Sequence, residues 1–309
     1  MAEVKDKIVT LESLKAVYDS LLQKISPYNV LDNSDFTNPV NQRGATSYSG
    51  IKYTIDRWKA NSGYSIVTVN NDCLNIKSSN GNAVYVQQWI ESGTIKDGNT
   101  YTVACTLKDG SVHCMSGVAS PTMTEAIRYI YVNDVNLGTI RFKYDNYYSL
   151  YMVMISTSLT EGINVANIAL YEGEYTNETL PKYKPKGYGV ELAECQRYFV
   201  ALRGKTEESS MISDGASNGT EFYSFFTLPV KMHGDKMPAV TYSGVNIYPY
   251  VKGSNVEVTG LLSATILSSR NHICIRFTHA SSAMSEKQVG ILRLSANGYI
   301  HISVDLGTD

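Results

Sequence analysis

This chain lacks the features that mark a membrane protein or a nucleic-acid-binding protein. No run of about 18 apolar residues occurs among its 309 residues, so no transmembrane helix or membrane insertion is expected. The 27 lysines and arginines form no basic stripe and are balanced by 29 acidic residues, so no nucleic acid partner is expected. The N-terminus "MAEVKDKIVTLESLK" has no apolar segment of a secretory signal. We therefore expect synthesis in a reducing cytoplasm.

Motifs for catalysis and metal binding are also missing from the sequence. There is no P-loop, H-E-x-x-H or G-x-S-x-G, and the five histidines make no helical i, i+4 pair. Glycoside hydrolysis requires a pair of carboxylates on either side of the bond that is cut. The acidic residues considered lie at predicted turns, and nothing in the sequence identifies such a pair. The five cysteines are odd in number and form no C-x-x-C, which argues against a disulfide framework or a zinc cage. We predict a protein that is not an enzyme and has no catalytic cofactor.

A helix is predicted over residues 3–26, where apolar residues recur at the a and d positions of three heptads. Pro27 ends it. So short a helix is marginal in water by itself. It either self-associates, which we favour, or packs on its own domain. The seam consists of Val4, Leu11, Leu14, Tyr18, Leu21 and Ile25.

After this helix the pattern changes to short strands, and the whole chain is predicted to be all-β. Residues 28–185 hold segments such as "AVYVQQWIE" and "SLYMVMIS", separated by turn clusters, which predicts a β-sandwich of the jelly-roll type. The connector "YTNETLPKYKPKGYG" marks a domain boundary, and a short helix follows it. Residues 186–309 alternate clearly, as in "YIHISVDL", which predicts a smaller C-terminal antiparallel β-sandwich.

Tyrosine is unusually frequent, with 23 residues against 7 phenylalanines and 2 tryptophans. Half-buried strands account for most of them, but aromatic rings also stack on the apolar faces of sugars. Most candidates for such contacts lie at turns or on either side of Pro249 in a predicted edge strand, and one tryptophan lies in a predicted strand. For the tryptophan among them, core packing is the alternative. The candidate glycan-binding residues are Trp58, Tyr147, Tyr148, Tyr248, Tyr250, Arg270 and His272.

Two segments resemble one known family. "LDNSDFTNPVNQRG" followed by "YTIDRW" is similar to the start of a carbohydrate-binding-module-like jelly roll. The junction "IALYEGEYTNETLPKYKPKGYGVELAECQRYF" resembles an end-of-sandwich strand, a proline connector and an E-L-x-x-C-Q-R-Y signature. Together with "FFTLPVKMHGDKMPAVTY", the similarity covers roughly residues 28–245. The family is the tail fibre or receptor-binding proteins of phages and prophages of Gram-positive gut bacteria.

The resemblance implies a homotrimer in a virion or phage-tail-like particle, with residues 1–27 as the trimerising helix. It implies binding to a bacterial surface polysaccharide or a teichoic-acid-type glycan, and contacts with other tail or baseplate proteins. Two interpretations of the loop that begins with "LDNSD" remain. A structural calcium ion would use Asp32, Asn33, Asp35 and Asn167, although the family usually has an aspartate where Asn167 stands. Asx-turn capping explains the same loop residues without a metal.

We therefore expect a non-catalytic, polyvalent adhesin. Two alternatives remain from the sequence, a tail-borne polysaccharide depolymerase and a purely structural fibre component.

Overall fold

A computed structural model describes residues 27–122, 129–131, 138–205, 210–233, 238–250, 255–266, 271–280 and 284–304. The predicted stem helix and its six seam residues lie outside these ranges. The described residues form β-strands and one short helix, which confirms the all-β prediction. Among them, no helix has the length and apolar character needed to cross a membrane.

The chain divides into two compact units. The first, here called the sandwich unit, comprises the described residues within 27–38, 46–52 and 59–186, and the second, the barrel unit, comprises those within 39–45, 53–58 and 187–304. The division after Lys186 lies one residue from the predicted domain boundary. Nothing in the sequence marked the two early segments as part of the second unit.

The sandwich unit contains two antiparallel sheets of six strands each. One sheet has the order β1 (Ser47–Ser49), β4 (Ser65–Val69), β5 (Leu74–Ser78), β12 (Ile163–Glu172), β7 (Thr100–Leu107), β8 (Val112–Val118). The other has the order β2 (Lys52–Tyr53), β3 (Lys59–Ala60), β6 (Val84–Trp89), β11 (Leu150–Thr157), β10 (Thr139–Asp145), β9 (Ile130–Tyr131).

Aromatic side chains fill the space between these two sheets. Tyr101 of β7 packs against Phe142 of β10, with 5.7 Å between ring centroids, and Phe142 stacks on Tyr151 of β11. The buried tyrosines keep their hydroxyl groups satisfied: Tyr101 accepts a bond from the Lys96 N–H, and Tyr151 donates to Asp97 at 2.5 Å. Tyr101 and Tyr151 are therefore core residues, with buried rings and paired hydroxyl groups.

The segment "NVLDNSDF" (residues 29–36) runs along β12. The Asn29 carboxamide donates to the carbonyl of Ile168 and accepts from the N–H of Leu170, which fixes the chain against the strand. Leu31 and Phe36 are fully buried beside it. Only one residue of the stretch, Asp35, makes a β-bridge in this region. The polar residues of "NVLDNSDF" thus hold an irregular segment to the sheet.

One helix follows the connector, as predicted. Helix α1 (Tyr188–Gln196) begins after Gly187, whose φ of 86° favours glycine, and it buries Glu191 and Cys195. Strand β13 (Phe199–Arg203) continues directly from its end. The "ELAECQRYF" signature is therefore the helix that leads into the barrel unit.

The barrel unit is a closed sheet, and the prediction of a C-terminal sandwich is wrong. Its 18-residue strand β19 pairs along its first half with a strand on each side, and the closed order is β14, β15, β18, β17, β16, β19. The alternation of apolar and polar residues identified the strands. It did not show which strand edges pair, because pairing joins segments that are distant in the sequence. The strands are β14 (Ser210–Asn218), β15 (Glu221–Thr227), β16 (Ala239–Pro249), β17 (Val256–Ile266), β18 (His272–His279) and β19 (Glu286–Ser303).

Inward-facing apolar residues fill the barrel. Gly215 of β14 lies opposite Gly290 of β19, and a Cβ on Gly215 would come within 2.6 Å of the Phe222 ring. The glycine therefore makes room for this phenylalanine. The fully buried core includes Phe222, Ile247, Ile273, Ile275, Phe277, Leu292, Leu294, Ile300 and Ile302.

The early segments of the barrel unit are held by a buried carboxylate. Asp56 is fully buried, bonds to the Arg43 guanidinium at 2.5 Å and accepts from the Gln42 carboxamide at 2.9 Å. Gln42 also donates to the carbonyl of Phe199. A buried ion pair of this kind is costly to break because one charge would remain unpaired.

Candidate functional site

A groove lies on the outside of the barrel and is here called the outer groove. It has a volume of about 810 Å³, within the usual range for small-molecule sites. Strands β13, β14 and β15 and one residue of β19 form its walls. The lining residues are Leu202, Met211, Ile212, Ser213, Asp214, Gly215, Ala216, Phe225, Phe226, Thr227 and Val289.

Three large apolar side chains of the groove face solvent. Met211 is 70% exposed, Phe225 is 56% exposed and Val289 is 50% exposed. In β15, the alternation places Phe222 and Phe226 inside the barrel and Phe225 outside. Contiguous exposed apolar side chains are uncommon on a monomeric protein and often mark a binding surface.

Strand β14 is irregular where it lines the groove. Its register against β19 shifts between Met211 and Ser213 and again between Ala216 and Asn218. Bulges of this kind re-aim side chains and occur often beside functional sites. The first shift leaves Met211 and Asp214 exposed on the same strand, so an apolar and an acidic group enter one groove.

A tyrosine and a carboxylate meet at the edge of the groove. Tyr250 follows β16, is 54% exposed, and its hydroxyl donates to Oδ1 of Asp214 at 2.9 Å. This hydrogen bond raises the pKa of Tyr250 above its ordinary value, because the bonded carboxylate disfavours the phenolate. The ring is therefore held in place as a neutral phenol beside an acceptor.

Tyr248 lies near the end of β16, two residues before Tyr250. The guanidinium of Arg293 sits over its ring, 5.3 Å from the centroid. Two of the predicted glycan-binding tyrosines thus belong to one wall of the barrel, and one of them bonds directly to a residue that lines the groove. The arrangement offers aromatic and apolar surface with a fixed acceptor.

Comparisons with protein-family models, curated proteins and solved structures found no match to this chain. The outer groove is therefore interpreted from its own geometry.

Sequence reasoning did not single out Met211, Asp214, Phe225 or Val289. A usable signal was present in "EFYSFFTLPV", since Phe225 stands in the opposite alternation phase to its two buried neighbours. An apolar residue in the polar phase of a strand is an ordinary surface feature by itself. The groove became visible only when strands distant in sequence brought several such residues together.

The other predicted glycan contacts lie elsewhere. Tyr147 and Tyr148 occupy the turn between β10 and β11 of the sandwich unit, where their rings contact each other and Tyr148 contacts Trp89. His272 is exposed at the start of β18, outside the groove lining. Arg270 lies outside the described residues. Trp58 is fully buried, so the prediction of a glycan contact for it is not supported: it packs in the interior instead.

Two of the four predicted calcium ligands lie next to each other. Asp35 and Asn167 form a β-bridge, so the opening loop does meet the final strand where the prediction placed the ion. However, Oδ1 of Asp35 accepts bonds from both the N–H and the hydroxyl of Thr37, which is an Asx-turn arrangement.

The remaining two calcium candidates have protein surroundings that do not require an ion. Oδ1 of Asp32 lies 3.4 Å from the Lys186 ammonium. Asn33 is buried and has a φ of 49°, a turn conformation that asparagine tolerates. Within the described ranges, no cluster of three or more acidic, histidine or cysteine residues could hold a metal. Calcium stays a prediction that depends on the resemblance.

A serine–histidine pair in the barrel unit looks like part of a catalytic site. The Ser217 hydroxyl lies 2.9 Å from Nε2 of His279, and Nδ1 of His279 lies 2.9 Å from the carbonyl of Ala280. Ser217 also accepts from the Gly219 N–H, and both side chains of the pair are buried. These bonds join the β14–β15 turn to β18, which is a structural role.

A smaller groove of about 340 Å³ lies in the sandwich unit, between the connector and strands β7, β8 and β12. Tyr171 is buried in its floor, and this burial raises the pKa of its hydroxyl to about 12. Leu180 and Tyr183 of the connector pack over a small apolar core of Ala104, Ala169 and Tyr171. The groove therefore lies along the line where the connector packs on the sheet.

Proposed function

We propose that this protein is a phage or phage-tail-like receptor-binding tail fibre that attaches to a bacterial surface glycan without cutting it. The observation that carries the proposal is the outer groove, where exposed apolar side chains adjoin the Tyr250–Asp214 pair. Sugar rings have apolar C–H faces and polar edges, so they suit a surface that combines aromatic or aliphatic groups with fixed acceptors.

The position of the groove on a sheet supports the same proposal. Binding residues carried by hydrogen-bonded strands are held more closely than those on free loops. Three strands of the closed barrel and the adjoining strand β13 supply the groove, and its main contact pair joins β14 to the end of β16. Little conformational ordering would then accompany binding, which favours affinity for a small ligand.

The sandwich unit and the stem complete the proposal. We infer that the two packed sheets are a jelly roll of the carbohydrate-binding-module type, and that residues 1–27 associate as a trimer. Three linked copies of one weak site would bind a surface polymer far more tightly than one copy, because the second and third contacts become intramolecular.

Binding to whole bacteria tests the glycan-binding function. The full-length protein is incubated with Gram-positive gut isolates, before and after periodate oxidation of their surface sugars. We expect retention that periodate removes, with no new reducing ends released from purified cell-wall polysaccharide. New reducing ends would favour a depolymerase, and a lack of retention on every isolate would favour a purely structural fibre component.

The oligomeric state is tested separately. Light scattering after size exclusion should report three chains of 34.1 kDa each. Replacing Leu14 and Leu21 by glutamate should lower the mass to that of one chain, because charges at core positions of the seam oppose association. A stable monomer of the unmodified protein at micromolar concentration would contradict the polyvalent part of the proposal.

A further inference from the structure

The chemistry of the outer groove indicates which sugars it accepts. We propose that the groove selects neutral sugars that carry an acetamido group, in preference to their unsubstituted counterparts and to anionic polymers. The inference rests on the proposed glycan-binding function and adds the ligand class to it. An acetamido group combines a methyl group with an N–H donor, and the groove presents a surface for each.

The apolar part of the lining suits a methyl group better than a hydroxyl group. Met211, Phe225 and Val289 expose carbon atoms, and Leu202 and Ile212 are partly buried beneath the same surface. A hydroxyl placed on such a surface loses water without a new hydrogen bond, whereas a methyl loses only apolar contact with water. One well-placed methyl or methylene group changes affinity by about tenfold.

The acidic part of the lining suits a donor. The Asp214 carboxylate is held in place by the bond from Tyr250, and its two oxygens together accept up to about four hydrogen bonds. It therefore retains acceptor capacity after the tyrosine bond is made. An amide N–H or a sugar hydroxyl supplies the donor, and a hydrogen bond to an ionised acceptor is stronger than one between neutral groups.

The charge of the lining disfavours phosphate. Asp214 is an acidic side chain, and no lysine or arginine is found among the described residues that line the groove. Arg293 lies on the same wall, but its guanidinium covers the Tyr248 ring. A phosphate of a teichoic-acid-type polymer placed in the groove would face Asp214, and two negative charges at close range repel each other.

The test measures binding of the full-length protein to matched sugar surfaces. Polymers displaying N-acetylglucosamine or N-acetylgalactosamine are compared with those displaying glucose or galactose, and with poly(glycerol phosphate). We expect at least one acetamido sugar to bind about tenfold more tightly than its unsubstituted partner. Poly(glycerol phosphate) should bind more weakly than either.

Two variants locate the preference in the groove. Val289→Thr keeps the shape and β-branching of the side chain while replacing a methyl by a hydroxyl, and it should reduce the acetamido preference several-fold. Asp214→Asn should weaken binding of the acetamido sugar and lessen the exclusion of phosphate. Val118→Thr, at an exposed valine of β8 in the sandwich unit, is the matched control and should leave all affinities unchanged.

Equal binding of acetamido and unsubstituted sugars would overturn the inference, as would tighter binding of poly(glycerol phosphate). A preference unaffected by both groove variants, or no binding to any of these surfaces, would overturn it as well. Retention on bacteria together with any of these results would leave the proposed adhesin function standing and remove only the assigned ligand class.

Discussion

Two pairs of tyrosines, one in each unit, were equal candidates for ligand contact in the sequence. Tyr147 and Tyr148 stand at a turn of the sandwich unit, and their rings lie 4.7 Å apart in an edge-on contact. Tyr248 and Tyr250 stand at the end of β16 in the barrel unit, and Tyr250 bonds to Asp214. Tyr147 is the most exposed of the four, at 77%.

The difference between the pairs shows that exposure alone does not define a site. The rings of the first pair contact each other, and Tyr148 also packs edge-on against the buried indole of Trp89. In the second pair, Tyr250 bonds to Asp214, which lines a concave surface that also contains apolar groups. A ligand gains from several convergent groups, so the second pair is the better candidate.

Core substitutions should separate the two units most strongly. Replacing Phe222 of the barrel core by alanine should lower the free energy of unfolding by about 3–5 kcal/mol, and should weaken glycan binding because β14 and β15 frame the groove. Chemical denaturation and binding to whole cells are the measurements.

Phe142→Ala is the matched change in the core of the sandwich unit. It should destabilise the protein by a similar amount, about 3–5 kcal/mol, while the folded fraction keeps its affinity for cells. If Phe142→Ala abolished binding and Phe222→Ala did not, the site would belong to the sandwich unit.

Substitution of the exposed tyrosines compares the pairs directly. Tyr250→Ala should weaken binding to bacteria by about tenfold to thirtyfold, equivalent to about 1.4–2 kcal/mol, because it removes both the ring and the donor that positions Asp214. Tyr250→Phe, which keeps the ring, should lose less. Titration of the protein against whole cells measures the affinities.

Tyr147→Ala is the control for this experiment and should change the affinity less than twofold. A larger loss from Tyr147→Ala than from Tyr250→Ala would reverse the ranking of the two pairs.

A smaller effect is expected from pH, and it should be confined to the barrel unit. Burial, together with the nearby guanidinium groups of Arg203 and Arg43, lowers the pKa of His301 to about 4. In the unfolded chain the pKa of a histidine is near 6.5. Between pH 6.5 and 4 the unfolded state therefore binds a proton that the folded state does not.

Stability should accordingly fall as the pH decreases through this window and stay constant, as far as this group is concerned, above pH 6.5. His301 is partly exposed, so a contribution on the order of 1–2 kcal/mol is expected after allowance for solvent screening. Denaturation of the protein and of His301→Gln at pH 7 and pH 4.5 measures it. A pH dependence as steep in the variant as in the parent would show that other groups are responsible.

Local patterns in the sequence were enough for several features of the fold. Strand content, the short helix after the connector and the inward phase of strands such as "HICIRFT" follow from residue type and alternation. The candidate status of Tyr248 and Tyr250 also came from the sequence, because a proline between two tyrosines indicates an edge strand. The edge-strand prediction is wrong, since β16 pairs with both β17 and β19.

Closure of the barrel, the inclusion of residues 39–45 and 53–58 in that unit, and burial of Trp58 were decided by the tertiary structure. Asp214 became a candidate for the same reason, since its partner Tyr250 lies 36 residues away. Alternation reports which face of a strand a side chain occupies, but not which strand lies beside it. Contacts between distant segments depend on the packing of the whole core, and the outer groove is made of such contacts.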